Sequence, residues 1–299
     1  MSVYILHFIN GVTCIDIGDN YLFTNEINKI GKRMKNSIIT NPGRIEDYNK
    51  VLPVLEIYSC IQSEGSRAGL PTIVVRTSGC THRCAFRDGG FCDTPYTSWS
   101  PEKGKYNFNS IIEAYDKRPD ITEMMLTGGS PTMHPALVNE LTHFANERGI
   151  LITIETEGSH FIKTDYPIGL ISISPKFSNS VPIIGTINPS GKVTTQRDID
   201  THNRYRLNND AISKMLEYHT DYHFKPVCNP TEQPEAFAEI ELFRVSMGIP
   251  KNKTWIMTPG DTKEELLRIY PDVINFCAEN GYNFTGREHI LAFGAEREK

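Results

Sequence analysis

The chain has 299 residues, with 31 basic against 36 acidic side chains and a formal net charge of −5. That length suits one large or two small domains, and 39% hydrophobic residues allow a sizeable core. The absence of a long basic run argues against nucleic acid as a direct ligand. No apolar run approaches the length of a membrane span.

The first residues, MSVYILHFINGVTC, are apolar but lack a basic leading segment, and His7 and Asn10 interrupt them. They read as a strand and not as a secretion signal. Residues 3–9 and 12–17 are strand-like, 25–35 tolerate a helix, and Asn41-Pro42-Gly43 marks a turn. Residues 1–52 read as an N-terminal extension, packed on a body that spans 53–299. The body opens with a strand over 54–61, which runs into the polar turn Gln62-Ser63-Glu64-Gly65. A β-rich run over 72–75 then delivers the chain to a loop carrying Cys80, Cys84 and Cys92.

Regular alternation follows. A helix is predicted over 108–117, capped by Asn107 or Asn109, and a strand over 121–126 ends in Thr127-Gly128-Gly129-Ser130-Pro131. A helix over 134–148 places Leu137, Leu141 and Phe144 on one face. Strands over 151–154 and 170–173 end in Glu155-Thr156-Glu157-Gly158 and Ser174-Pro175-Lys176. Residues 178–206 lose the rhythm and read as a long insertion or lid. Helices over 208–218, 232–246 and 262–280, the last capped by Asp261, alternate with strands over 222–227, 254–257 and 289–293. Strand-then-helix units argue for an α/β fold with a parallel sheet and crossover helices. About six units fall short of the eight in a complete barrel, so the expectation is a partial, incomplete TIM-type βα barrel. The polar groups that follow its strands then share one rim.

Seven cysteines, three of them clustered, suit a reducing compartment and a metal site better than a disulfide framework. Cys14, Cys60, Cys228 and Cys277 read as small buried hydrophobes. Cys80, Cys84 and Cys92 follow no common zinc spacing, and three thiolates are one short of a closed structural zinc site. An iron–sulfur cluster held by three cysteines leaves one iron free for another ligand. Gly128-Gly129 at a strand end lets backbone approach a ligand closely. Glu155 ends an apolar strand, where burial is costly without a partner. Arg76 needs an anionic partner, either a structural carboxylate or a substrate carboxylate. Gln62 and Glu64 offer amide and carboxylate edges that can read a flat heterocycle. Asp93-Thr94 supplies hard oxygens of the kind magnesium takes, or simply a turn.

These residues resemble the radical S-adenosylmethionine (SAM) superfamily, and within it the 7-carboxy-7-deazaguanine synthase (QueE) family. The likeness runs from about residue 53 to the C-terminus. It rests on Glu56-Ile-Tyr-Ser-Cys-Ile-Gln-Ser-Glu-Gly65, Arg76 with Ser78-Gly79-Cys80, Cys92-Asp93-Thr94, Thr127-Gly128-Gly129, Glu155-Thr156, Ser174-Pro175-Lys176 and His289. The resemblance implies that Cys80, Cys84 and Cys92 hold a 4Fe-4S cluster and that Thr94 ligates Mg2+. It implies SAM binding by Phe91, Gly128, Gly129, Ser174, Pro175 and Lys176, with Glu155 on the ribose. Ile61, Gln62, Ser63, Arg76, Thr127 and His289 would line the substrate, and Arg76, Gln62 and Glu64 would orient it for catalysis.

The implied reaction converts 6-carboxy-5,6,7,8-tetrahydropterin to 7-carboxy-7-deazaguanine by radical ring contraction with loss of ammonia, in 7-deazapurine biosynthesis of the queuosine type. A flavodoxin- or ferredoxin-type electron donor, a homodimer and a cytoplasmic setting go with it. A glycyl-radical activating enzyme and a non-catalytic iron–sulfur or zinc protein are the alternatives. The chain departs from the family pattern in four places. Seven residues separate Cys84 from Cys92 where two are usual. Ser130 replaces a frequent Glu that contacts the SAM amine, Ser63 replaces Gly, and Glu157 stands where Asn is common.

Overall fold

The computed structural model describes residues 6–9, 12–16, 21–23, 36–86, 92–294 and 296–299, the first three segments as backbone alone. The helix expected over 25–35, Phe91 and the side chain of Cys14 lie outside the described residues.

The N-terminal extension contributes an antiparallel meander, β1 (Leu6–Ile9), β2 (Val12–Asp16) and β3 (Tyr21–Phe23). A two-residue strand, β4 (Ile38–Ile39), pairs in parallel with β9 (Phe161–Ile162). The body is a six-stranded sheet in the order β11-β10-β8-β7-β6-β5. Its strands are β5 (Val54–Ile61), β6 (Pro71–Thr77), β7 (Glu123–Gly128), β8 (Leu151–Thr156), β10 (Leu170–Ile173) and β11 (Tyr222–Phe224). All neighbours are parallel except β5, which runs antiparallel to β6 at the edge. A further parallel pair, β12 (Trp255–Met257) and β13 (Asn283–Thr285), continues beyond β11 through the bridges Phe224↔Thr254 and Val227↔Met257. The architecture is mixed α/β around a mostly parallel sheet.

The inner strands are largely apolar along their length, as expected of a buried parallel sheet. Ile73, Val74 and Val75 of β6 are each no more than 1% exposed. The crossovers are α2 (Phe108–Lys117), α3 (Pro135–Arg148), α5 (Asn209–Tyr218), α6 (Pro234–Ser246) and α7 (Lys263–Asn280). A short helix, α1 (Pro95–Ser98), closes the cysteine loop, and α4 (Gln196–Tyr205) lies inside the 178–206 segment. Asn107 is the cap of α2, accepting from Ser110 N at 3.0 Å.

Three expectations need correction. Helix α7 is capped by Thr262 and not Asp261: Thr262 Oγ1 accepts from Glu265 N while Glu265 returns the bond, a capping box. The strand expected over 289–293 is the helix α8 (Glu288–Phe293), and the last strand is β13, just before it. A short apolar run such as His-Ile-Leu-Ala-Phe does not distinguish strand from helix by periodicity. Cys60 is only partly buried, because β5 is the sheet edge, whereas Cys228 and Cys277 lie in the core. The regular alternation also breaks once, since residues 157–169 join β8 to β10 with no helix.

Candidate active site

The strand register builds the site. Glu56 lies opposite Arg76, Arg76 beside Thr127, and Ser172 between Glu155 and His223. The β7–β8 pairing ends at Leu126↔Ile154, one step before Thr127 and Glu155. Laterally paired residues point to the same face of a sheet, so Glu56, Arg76, Thr127, Glu155, Ser172 and His223 form one polar row. The neighbouring row, Ile57, Val75, Leu126, Ile154 and Ile171, points to the other face. Arg76, Thr127 and Glu155, all singled out from the sequence, thus come together.

Charges in the row are paired. Lys225, the residue after β11, is 2% exposed and donates from Nζ to Glu64 Oε2 at 2.8 Å and Glu155 Oε2 at 2.7 Å. Ser172 Oγ donates to the same Glu155 oxygen at 2.6 Å, while Glu155 Oε1 is buried with no partner among the described residues. Burial alone would lower the Lys225 pKa; the two carboxylates outweigh it and raise it. Arg76 is committed to a structural carboxylate, donating from Nε to Glu56 Oε2 at 2.6 Å and from Nη2 to Tyr58 Oη at 3.0 Å.

The turn after β5 reaches the site from the far end. Ile61 lies opposite Pro71, at the start of β6, and is 55% exposed. Gln62 is buried and accepts from Ser63 N at 3.1 Å. The chain then returns: Ser63 Oγ meets His289 Nδ1 at 2.7 Å, Gly65 N donates to Thr285 Oγ1 at 2.6 Å, and Glu64 reaches Lys225. Gly65 has φ +70°, and a Cβ there would come within 2.5 Å of His223 Cε1. Only a glycine fits.

The cysteine loop stands over the same end of the sheet. Gly129 carries no Cβ because one would collide with the carbonyl oxygens of Gly79 and Thr97. Ser130 N donates to Gly79 O at 2.8 Å, and Gly79 N to Thr97 O at 2.9 Å. The strand end and the thiol loop are therefore stitched backbone to backbone. Burial raises the thiol pKa of Cys80, Cys84 and Cys92; the charges of Glu157 and the neighbouring thiolates add to it at Cys80, that of Asp93 at Cys92, and Cys84 reaches about 12 with Lys176 opposing. Among the described residues no three ligating side chains already stand as a metal-binding group. The donor chemistry fits an iron–sulfur cluster: Cys84 is buried and Cys80 and Cys92 half-buried in one neighbourhood, and their ionisation calls for positive charge. The fit for magnesium is poorer. Thr94 Oγ1 lies 3.5 Å from Cys92 Sγ, and the adjacent Asp93 carboxylate is taken by Arg287. Ser174 and Lys176 bond each other, Lys176 Nζ lying 2.8 Å from Ser174 Oγ, and Pro175 is buried beside them.

The 178–206 segment braces the widened loop. Ala85 N donates to Ser180 O at 2.9 Å and Arg83 N to His202 Nδ1 at 3.2 Å, while Ser180 Oγ meets His202 Nε2 at 3.1 Å.

Sequence reasoning missed Lys225 and Arg287. Lys225 had a signal, a lone cation in the run Phe224-Lys225-Pro226-Val227 at a strand end. Arg287, 6% exposed, contacts Asp93 and lies 3.8 Å from Glu64 Oε1. It was hidden by the misplaced last strand. Asp93 is held at about 2: burial would raise it, and Arg287, His289 and Arg76 outweigh that.

No protein-family model matches the chain. It is 32% identical over 242 residues to the 7-carboxy-7-deazaguanine synthase of Halobacterium salinarum, covering 80% of this chain and 89% of that one. It is 25% identical over 256 residues to the 7-carboxy-7-deazaguanine synthase of Rhodopirellula baltica, covering 86% and 92%. Among solved structures it resembles the crystal structure of QueE from Escherichia coli, with a TM-score of 0.50 and 17% identity over 79% of this chain and 93% of that one; this likeness is one of fold. On the identity and coverage of the first of these relatives, the chain belongs to the 7-carboxy-7-deazaguanine synthase family.

Proposed function

We propose that the protein is a radical SAM carbon–nitrogen lyase that converts 6-carboxy-5,6,7,8-tetrahydropterin to 7-carboxy-7-deazaguanine, with ring contraction and loss of ammonia. Family membership supports the reaction class. The observation that carries the reading is the cysteine loop stitched through Gly129 to a sheet whose adjoining row is polar on one face.

When bound, a 4Fe-4S cluster and SAM supply the radical that takes a hydrogen atom from the substrate. Cys80, Cys84 and Cys92 would hold the cluster. Gly128 and Gly129 allow close approach at the strand end, and Phe91, Ser174, Pro175 and Lys176 complete the SAM pocket. The unpartnered Glu155 Oε1 is oriented by the bonds to its other oxygen and would accept from a ribose hydroxyl. Arg76, pre-set by Glu56 and Tyr58, would present the rest of its guanidinium to an anionic edge. Gln62 and Glu64 would read the amide and amine edge of the pterin, with Ile61, Ser63, Thr127 and His289 around it. Such pre-set partners hold the target hydrogen in line and exclude water. Thr94 is the candidate magnesium ligand, and no step depends on it here. A flavodoxin- or ferredoxin-type donor and a homodimer belong to the same proposal. Among the described residues no helix is long and apolar enough to cross a membrane.

Anaerobic reconstitution with iron and sulfide, followed by incubation with SAM, reductant and the pterin, tests the reading. Formation of 7-carboxy-7-deazaguanine, lost on replacing any of the three cysteines by alanine, is expected. SAM cleavage that leaves the pterin untouched would favour a glycyl-radical activating enzyme instead.

A further inference from the structure

Just beyond the polar row a second acidic group is buried with one oxygen idle. Glu157 is 6% exposed. Its Oε1 accepts from Ser130 Oγ at 2.6 Å, from Thr81 Oγ1 at 3.3 Å and from Ser159 Oγ. Its Oε2 is buried and has no partner among the described residues. No lysine or arginine among them forms an ion pair with it, unlike Glu64 and Glu155, which share Lys225. Three hydroxyls converge on one oxygen, and a buried carboxylate oxygen left bare is unfavourable unless something fills the place beside it. A carboxylate arranged in this way lacks a cation on one side.

Position narrows the cation. Glu157 is the first residue after β8 and stands two positions after Glu155. Thr81, which donates to it, is the neighbour of Cys80. Glu157 is therefore tied to the thiol loop by hydrogen bond and to the carboxylate assigned to a ribose by the chain itself. A metal ion is poorly matched, because the surrounding groups are hydroxyls already spent on Oε1. A primary ammonium with three donors fits a single bare carboxylate oxygen.

We propose that Glu157 is the acceptor for the α-ammonium of an amino-acid-bearing nucleoside, and that Ser130, Ser159 and Thr81 hold its carboxylate ready. This rests on the reading of the site as one that binds SAM, and names the residue that recognises the amino-acid end.

The test uses the cluster-loaded protein and two probes, SAM and its analogue lacking the amino group, with binding measured calorimetrically. A charge-assisted contact is worth about 1.5–3 kcal/mol, or roughly 10- to 100-fold in affinity. The native protein should prefer SAM to the deaminated analogue by about that factor. Glu157→Gln should weaken SAM by the same factor and leave the analogue within about twofold, with iron content and the visible spectrum unchanged. The double variant Glu157→Gln/Ser130→Glu places a carboxylate on the other partner of the 2.6 Å bond and should recover part of the loss. Equal affinity of the native protein for both probes overturns the inference, even if the variant fails to fold. So does an equal loss of both probes in Glu157→Gln. If the native protein gathers no cluster or binds neither probe, the proposed function itself fails; if it turns over the pterin while Glu157→Gln binds SAM normally, only this inference does.

Discussion

Replacing Lys225 by Met removes a buried ammonium from between two carboxylates and keeps most of its volume. Lys225 is 2% exposed, and the side chains of Glu64 and Glu155 are 18% and 15% exposed, so solvent cannot take over its role. Breaking one partner of a buried ion pair costs about 3–5 kcal/mol, because the surviving charge stays buried and unpaired. Glu155 would keep only Ser172, while Glu64 keeps a distant Arg287 at 3.8 Å. The upper half of that range is therefore the expectation, which for a chain of 299 residues lowers the melting temperature by roughly 6–8 °C.

The pH dependence gives a second readout of the same variant. In the native protein burial would raise the Glu64 pKa, but Lys225, His289 and Arg287 outweigh it and hold it below its ordinary value. A depressed carboxyl contributes stability above its unfolded pKa, near 4.3, that is lost as pH falls through the lower folded value. In the variant the Glu64 carboxyl, deprived of Lys225, takes up a proton more readily, so the deficit against the native protein should narrow below about pH 4.5. Circular dichroism melts from pH 7 to 4, with Lys225→Met/Glu155→Gln as the recovery control, measure both effects. A deficit under about 1 kcal/mol at pH 7, or one the second substitution does not reduce, would refute the claim that this ammonium holds the row together.

Gly129→Ala should cost more than the about 1–3 kcal/mol of ordinary overpacking, because the added methyl meets backbone oxygens of Gly79 and Thr97 that cannot rotate away; denaturation midpoints and iron retained after desalting, both reduced, are the checks. His223 and His219 are kept neutral by burial, at about 3 and about 4. Both folded values lie below the unfolded value near 6.5, so the unfolded chain binds protons first and stability falls as pH drops through 6.5 toward those values. Each contributes a loss of up to about 2 kcal/mol between pH 7 and 5. His219→Gln should flatten that slope in denaturant titrations, and an unchanged slope would contradict the assignment.

Much of the body was legible because its strands are short apolar runs punctuated by polar ends. The segments 151–154 and 170–173 emerge as β8 and β10 almost to the residue. Arg76, Thr127 and Glu155 were found because a charged or polar residue at the end of such a run is conspicuous, and the register then sets them side by side. Partnerships were not legible. Lys225 meets Glu64 across 161 positions and Glu155 across 70, and nothing in local pattern encodes such distances. Gln62 and Glu64 read as edges for a flat heterocycle, but that their turn starts at the opposite end of the sheet, with Glu64 returning to Lys225, was not legible. Three-residue strands such as β13 carry too little periodicity to outweigh the apolar run that follows.

On either side of Cys84 in the thiol loop stand two backbone amides that need acceptors, those of Arg83 and Ala85. Ser180 and His202 receive amide protons from Ala85 and Arg83, so a segment remote in sequence acts as the second wall of that loop. A longer thiol loop and the excursion over 178–206 are two halves of one module. Deleting the wall would strip the amides of Arg83 and Ala85 of those acceptors, so an engineer transplanting the thiol loop must carry the wall with it.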